Sequence, residues 1–255
     1  MLSRLRHWSQ HLSARLPALL PSSCALCGSS GDAAICAGCH AQFFGRGGQR
    51  CTQCAIPLPA AGIASASRCG ACLSQAPAFD ATIVAADYAP PIDQLVLALK
   101  FGGRLALAPL FARVLRDALL HDRASTEQIA LPTLLTAVPL GRRRLAERGF
   151  NQALEIAKPL SRALGIKLEP QLVVRQRDTD AQALLHPDQR YQNIRHAFVV
   201  PDTAIERVRG QHVGVVDDVI TTGGTLGELA ATLKRFGAAR VTNLVFARTL
   251  PKQGE

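Results

Sequence analysis

Residues 212–238, HVGVVDDVITTGGTLGELAATLKRFGA, read as a strand, a glycine-containing turn and a helix in direct succession. The apolar stretch Val213 to Val216, with Gly214 among its residues, runs into Asp217 and Asp218. A strand end that delivers two carboxylates to the edge of a sheet can accept hydrogen bonds from vicinal hydroxyls. After Val219 and Ile220, the residues Thr221, Thr222, Gly223, Gly224 and Thr225 open the helix, and the amides and hydroxyls exposed there suit a phosphate. A diol and a phosphate together describe ribose 5-phosphate. Gly223 and Gly224 permit positive φ and close backbone approach, while the threonines donate without crowding an anion. No Lys follows the glycines, so this is not a Walker A loop, and the three-glycine dinucleotide fingerprint is missing. Threonine and glycine at a helix start often serve only as caps, but two adjacent acids beside a buried strand are unfavourable without a binding task.

The neighbouring segments place this unit in an α/β architecture. ARVTNLVFARTL, from Ala239, supplies a last strand, and DATIVAADYAP, from Asp80, has the alternating β-branched look of a first one. IDQLVLALKFGG and the residues up to about Leu120 form a helical pair broken at Gly102 and Gly103, with Leu95, Leu99, Leu107 and Leu110 on the buried face. LLTAVPL, from Leu134, is a buried strand, and NQALEIAKPLSRALG is a helix stopped by Gly165. LEPQLVVR, from Leu168, is a further strand candidate, followed by a polar loop from Gln176 to about His186 and an extended piece over Ala197 to Val200. Strands alternating with helices imply an open parallel sheet with its binding crevice outside the carboxyl ends of the strands.

Composition sets the bounds. The 255 residues allow at most two compact units, and 48% hydrophobic against 19% charged residues exclude a disordered chain. No run of about 18 uncharged apolar residues occurs, which excludes a spanning helix. The first 23 residues hold no unbroken apolar stretch ahead of a small-residue cleavage site, so no signal peptide is read and a soluble, cytoplasmic protein is expected. Leu5, Trp8, Leu12, Leu16 and Leu19 form one stripe of a short amphipathic helix, suited to docking. The 29 Lys plus Arg, mostly Arg, exceed the 19 Asp plus Glu and give a formal charge of +10. Arg forks suit phosphate and carboxylate, so a polyanionic partner fits, although solubility explains the same charge. With aromatics at only 5%, an extended platform for stacking bases is poorly stocked.

All eight cysteines lie between Cys24 and Cys72 in four C-x-x-C pairs: Cys24 and Cys27, Cys36 and Cys39, Cys51 and Cys54, Cys69 and Cys72. Two such turns complete a tetrahedral four-sulfur site, so eight thiols specify two zinc ions. The gaps of 8, 11 and 14 residues are close to zinc-ribbon spacing. A disulfide framework belongs to an oxidising compartment, and a redox motif is expected as a single pair; iron–sulfur ligation is the remaining alternative. With four Cys on each metal no position is left for water, so both sites are structural. Loop-closure entropy favours pairing neighbours over an interleaved arrangement only by fractions of about a kcal/mol, so both stay open.

The segment VVDDVITTGGT resembles the 5-phosphoribosyl-1-pyrophosphate (PRPP) loop of type I phosphoribosyltransferases. That likeness implies that Asp217 and Asp218 contact the ribose hydroxyls and that Thr221, Thr222, Gly223, Gly224 and Thr225 hold the 5-phosphate. Three further stretches, VPLGRRRLAERGFNQA, RQRDTDAQALLHPDQRYQNIRHAF and YAPPIDQLVLALKFGGR, together with the four C-x-x-C pairs, resemble the ComF family of competence and DNA-utilisation proteins, also called GntX-like. By that resemblance the first stretch follows a core strand and lines the pyrophosphate pocket, with Arg144, Arg148, Gly149, Asn151 and Gln152 as candidates. The second is implied to be a loop closing over PRPP, with Arg175, Thr179, Gln182, Arg190 and Asn193. Asn151 and Asn193, uncharged within polar motifs, suit specific contacts. The run Arg142 to Arg144 reads equally as anion contacts or as a solvated basic face. Lys100 also stands at a position of the third resembling stretch, and a helix-surface lysine explains it equally well. His186 and His196, near the second stretch, offer proton transfer but read more readily as ordinary histidines.

The expected organisation is an amphipathic helix over 1–23, a double zinc ribbon over 24–72, a linker over 73–79 and a phosphoribosyltransferase-like domain over 80–255. The resemblance implies Mg²⁺ with PRPP as ligands, a role in uptake or use of external DNA, and phosphoribosyl transfer to an acceptor for which the chain carries no signature. The alternative is a partner protein that senses PRPP, or handles single-stranded DNA through nonspecific phosphate contacts, without turnover; competence or DNA-uptake proteins are its implied partners.

Overall fold

The computed structural model describes residues 22–45, 48–59, 67–125, 130–176 and 197–250, without the side chains of 22 and 123–125. The chain forms two compact units, 1–45 and 46–255. They part between the two cysteine quartets rather than at the expected linker over 73–79. Of the helix expected over 1–23, only Ser22 and Ser23 are among the described residues, and they form a strand.

In the first unit, β1 (Ser22–Ser23) pairs antiparallel with β2 (Ser30–Gly31), and the tight turn between them is closed by Gly28 N–H donating to the Cys24 carbonyl. The short helix α1 (Ala37–Phe43) follows, with Cys36 as its N-cap. In the second unit α2 (Gly70–Ser74) follows Cys69.

The larger unit is built on a five-stranded sheet of β3 (Ala81–Asp87), β4 (Leu134–Ala137), β5 (Lys167–Leu168), β8 (His212–Ile220) and β9 (Arg240–Arg248), in the order β3-β9-β8-β4-β5. Every neighbouring pair is parallel, as the sequence leads one to expect. The helices α3 (Ile92–Lys100), α4 (Leu107–Ser125), α6 (Gln152–Leu164) and α8 (Gly224–Arg235) connect the strands. Parallel strands covered on both faces read as continuous apolar runs. Accordingly Val241 to Ala247 of β9 are all buried, and Phe246 stacks on Phe111 of α4 with ring centroids 3.6 Å apart. Gly214 has no room for a side chain, since a Cβ there would lie 2.5 Å from Leu135 Cδ2 and 2.9 Å from Pro132 Cγ.

Three local features differ from the expectations. The strand carrying the acids extends to Ile220, so Asp217 and Asp218 lie within it rather than following its end, and Asp217 sits opposite Val245 of β9. The single strand expected over LEPQLVVR is broken at Pro170, which cannot donate to a ladder: Lys167–Leu168 stays at the sheet edge, while β6 (Val174–Arg175) pairs antiparallel with β7 (Phe198–Val199). A short helix not anticipated from sequence, α5 (Arg142–Arg148), ends at Gly149, whose φ of 78° is the left-handed cap that glycine accommodates. A second, α7 (Ile205–Val208), precedes β8.

Candidate functional site

The carboxyl end of β8 forms the floor of a cavity of about 280 Å³, lined by Asp217, Asp218, Lys100, Arg144, Arg148 and Arg175 among others. It lies where parallel sheets bind ligands, outside the carboxyl ends of their strands. Asp218 is buried, 3% exposed, and Lys100 Nζ lies 2.6 Å from its Oδ2. Its backbone N–H donates to Asp217 Oδ1 at 2.9 Å. Burial, and then the adjacent Asp218 charge, hold the Asp217 carboxyl well above the usual carboxylate range; Lys100 only partly offsets them. One acid is therefore matched inside the protein, and the other is left to take a hydroxyl donor or an added cation.

Lys100 is the principal site residue that the sequence left undecided between the family stretch and a helix surface. A surface lysine explains it from composition, but the structure places it over the acids. Ile92, Val96 and Lys100 fall at steps of four along α3, and the first two are buried at 2% and 0% exposure. A lysine continuing an apolar stripe is the signal that would have found it, because a buried ammonium needs an acidic partner.

The cationic wall comes from α5 and the adjoining segments. Arg148 Nη1 donates to Gln152 Oε1 at 2.9 Å, and its guanidinium sits 5.0 Å from the Phe101 ring centroid. Burial draws its pKa down, against the pull of Asp218. Arg175 stacks over Phe198 at 5.5 Å and is brought to the cavity by the β6–β7 pair. Four cations therefore face two carboxylates, a balance suited to a ligand with more than one anionic group. Within the basic run, Arg144 lines the cavity, whereas exposed Arg143 pairs with Glu147 at 2.9 Å.

Thr221 and Thr225 also line this cavity. A shallower hollow of about 40 Å³ lies among Asp217, Thr221, Gly223, Gly224 and Thr225 at the start of α8. Gly223 has φ of 85°, the strained turn for which glycine was expected. Thr222 Oγ1 caps the Gly224 N–H at 3.5 Å.

Thr222, Gly223 and Gly224 face the neighbouring hollows rather than the cavity at the end of β8, and of the pyrophosphate candidates Asn151 and Gly149 do not line it. Asn151 is the N-cap of α6: its Oδ1 accepts from Ala153 and Leu154 N–H, and its Nδ2 donates to the Val138 carbonyl at 3.0 Å. The amide expected to serve specific ligand contacts is thus occupied in fixing the chain. Gly149 acts through the turn it permits. Thr179, Gln182, Arg190, Asn193, His186 and His196 lie outside the described residues.

The cysteines form two groups, Cys24, Cys27, Cys36, Cys39 and Cys51, Cys54, Cys69, Cys72, each with its sulfurs within 4.8 Å of one another. Neighbouring pairs therefore combine, and the interleaved alternative is excluded. Sulfurs at about 2.3 Å from zinc stand about 3.8 Å apart at the corners of a tetrahedron. Cys27 and Cys36 are 3.7 Å apart, and Cys54 and Cys69 3.6 Å. None of the eight is in a disulfide. Burial alone would raise the Cys24 thiol, but the N–H groups of Cys27, Cys36 and Leu26 bring it down to about 6. The N–H groups of Cys54, Cys69 and Gln53 likewise bring buried Cys51 to about 7. Burial raises Cys39, Cys54 and Cys72 instead, so within each quartet thiols held down by N–H donors lie beside thiols that an ion must bring to the thiolate form in which they bind zinc.

The fold and both metal groups agree with comparisons to known proteins. Residues 151–254 match a phosphoribosyl transferase domain, and residues 16–73 match a double zinc ribbon domain. The DNA utilization protein YhgH of Escherichia coli K12 is 38% identical over 200 residues, 78% of this chain and 84% of that protein. Competence protein F of Haemophilus influenzae Rd is 33% identical over 207 residues, 81% of this chain and 87% of that protein. Among solved structures, the glutamine PRPP amidotransferase of B. subtilis aligns with a TM-score of 0.34 at 21% identity, over 56% of this chain and 25% of that one. The purine phosphoribosyltransferase of Pyrococcus horikoshii aligns with a TM-score of 0.30 at 19% identity, over 55% and 73%. With the residue motifs, the paired sulfur groups and the Escherichia coli and Haemophilus influenzae relatives in agreement, the chain belongs to the ComF family.

Proposed function

We propose that this protein binds PRPP with Mg²⁺ at the carboxyl edge of its sheet and acts, as its relatives' names suggest for them, in the uptake or use of external DNA in the cytoplasm. The observation that carries the reading is the joint lining of one cavity by Asp217, Asp218 and three arginines, beside the Thr221 to Thr225 turn. On this reading the two carboxylates accept from the ribose hydroxyls, and the turn amides and hydroxyls receive the 5-phosphate. Arg144, Arg148 and Arg175 hold the pyrophosphate. The acids that Lys100 only partly neutralises favour a nearby cation, and bound Mg²⁺ would supply charge neutralisation of the leaving pyrophosphate. The chain's own contribution to transfer is then positioning and charge stabilisation.

Pyrophosphate release tests the reading. The full-length protein is mixed with Mg²⁺ and PRPP, with or without nucleobases, amines or single-stranded DNA. Release that requires an acceptor and disappears in Asp218→Asn identifies a transferase. Saturable binding without release identifies the sensing role, and absence of both refutes the site. If DNA associates through phosphate contacts with the Arg-rich surface, its affinity falls steeply with salt; a flat response contradicts that contact.

A further inference from the structure

We propose that Arg248 is a positioning residue that couples the second cysteine quartet to the phosphate turn, so that loading of that metal site sets the geometry in which Thr221 to Thr225 receive an anion. The part concerning PRPP rests on the function proposed above. Arg248 ends β9, is 6% exposed, and donates through Nη1 to the Thr221 carbonyl at 3.1 Å. Its Nε is buried without a hydrogen-bond partner among the described residues. Arg248 lines a cleft of about 500 Å³ together with Cys54 and Cys69 and with Thr222, Gly223 and Gly224. A single guanidinium thus lies where the quartet and the turn meet.

A buried guanidinium held by one carbonyl is poorly compensated. The balance is available from the quartet, because four thiolates around Zn²⁺ retain two negative charges. Burial works against the charged form of Arg248, and the Cys54, Cys69, Cys51 and Cys72 thiolates work for it. The quartet is also fastened to the sheet: the Thr82 N–H donates to the Thr52 carbonyl at 3.2 Å, and Gln53 Nε2 donates to the Phe79 carbonyl at 3.0 Å. The Phe79 ring in turn lies 3.6 Å from where a Cβ on Gly223 would stand. With the metal gone the loop that carries Cys51 to Cys72 loses its cross-link, the wall of the cleft that Cys54 and Cys69 share with Arg248 is released, and the hold of Arg248 on Thr221 weakens. The second zinc thereby supports the binding turn as well as its own loop.

Nuclear magnetic resonance of the full-length, zinc-loaded protein tests this through the Thr222 amide nitrogen, which reports hydrogen bonding at the Thr221 carbonyl across the shared peptide. Cys69→Ser, which opens the second quartet, is expected to shift and broaden that signal, whereas Cys27→Ser, which opens the first, leaves it in place. Arg248→Gln, and Arg248→Lys as a variant that keeps the charge, reproduce the shift while both zincs remain bound by native mass. Cys69→Ser then adds nothing in the Arg248→Gln background. Chelation of the wild type gives the same comparison should Cys69→Ser fold poorly. Mg²⁺·PRPP affinity falls about tenfold in Arg248→Gln, the size expected for losing one hydrogen bond to a charged group. An unmoved Thr222 signal on loss of the second zinc, or independent effects of the two substitutions, overturns the coupling. If the wild type binds no PRPP, the proposed function fails, while the Thr222 signal still decides the coupling.

Discussion

The cysteine quartets and the cavity at the end of β8 both gather like charges, and they compensate them in different ways. Each quartet is a closed set of four thiols within reach of one ion, so the charge it develops as thiolates would be met by a metal from outside the chain. In the cavity, Asp218 is met from within by Lys100, while Asp217 is left partly uncompensated. Charge satisfied from outside holds a fold together; charge left open beside an anion-binding turn is available to a ligand.

Removing zinc gives the largest expected effect. Structural zinc contributes about 10–16 kcal/mol of apparent binding free energy in small domains. Chelation is therefore expected to abolish the dispersed amide signals of residues 22–45, while those of β8 and β9, buried in the large sheet, persist. Survival of the 22–45 signals would break the comparison on the metal side.

Next in size is Lys100→Met. Stripping one partner from a largely buried ion pair costs about 3–5 kcal/mol, read as a lower denaturant midpoint at neutral pH. Asp218→Asn in the same chain should recover much of that loss, because the uncompensated charge is then gone. A lysine merely lying on the surface would give a change below about 0.5 kcal/mol.

The sequence displayed some of this arrangement and concealed the rest for a physical reason. The acid pair and turn occupy nine consecutive residues, 217–225, and each quartet is spelled out by spacing, so chemistry and position coincide locally. Lys100 and Asp218 are far apart along the chain, and only the parallel crossover brings them to 2.6 Å. Asn151 misled in the opposite direction: its amide has the chemistry of a ligand contact, but the start of α6 consumes it as a cap. Pro170 was visible, yet the division it imposes on β5 and β6 needed the sheet edge and the partner strand β7 to become apparent.

Asp217→Asn sharpens the cavity side through pH. The folded-state pKa of Asp217 is raised, so its contribution to stability is full below the unfolded value of about 3.9 and is lost as pH rises through the folded one. The asparagine keeps the acceptor for the Asp218 N–H and does not titrate. The variant should therefore match the wild type's stability trend near pH 4 and gain on it toward neutrality, as followed by denaturation at several pH values. A gap that narrows with rising pH would contradict this assignment of the open charge.

The smallest effects distinguish wall from surface. Arg148→Ala should weaken Mg²⁺·PRPP binding about tenfold through loss of a charge-assisted contact. Arg143→Ala removes the exposed pair with Glu147, worth about 0.3–0.5 kcal/mol, and is expected to leave affinity unchanged. Equal losses of binding in both would indicate diffuse electrostatics in place of a shaped wall.

Calorimetric titration of the zinc-loaded, full-length protein with PRPP in Mg²⁺ decides the central matter. One saturable site in the wild type, lost in Asp218→Asn while that variant still unfolds in one cooperative transition, lowered by the unpaired Lys100, is the predicted outcome. No heat in the wild type, or undiminished binding by the folded variant, would contradict the placement of a phosphorylated sugar on these two carboxylates.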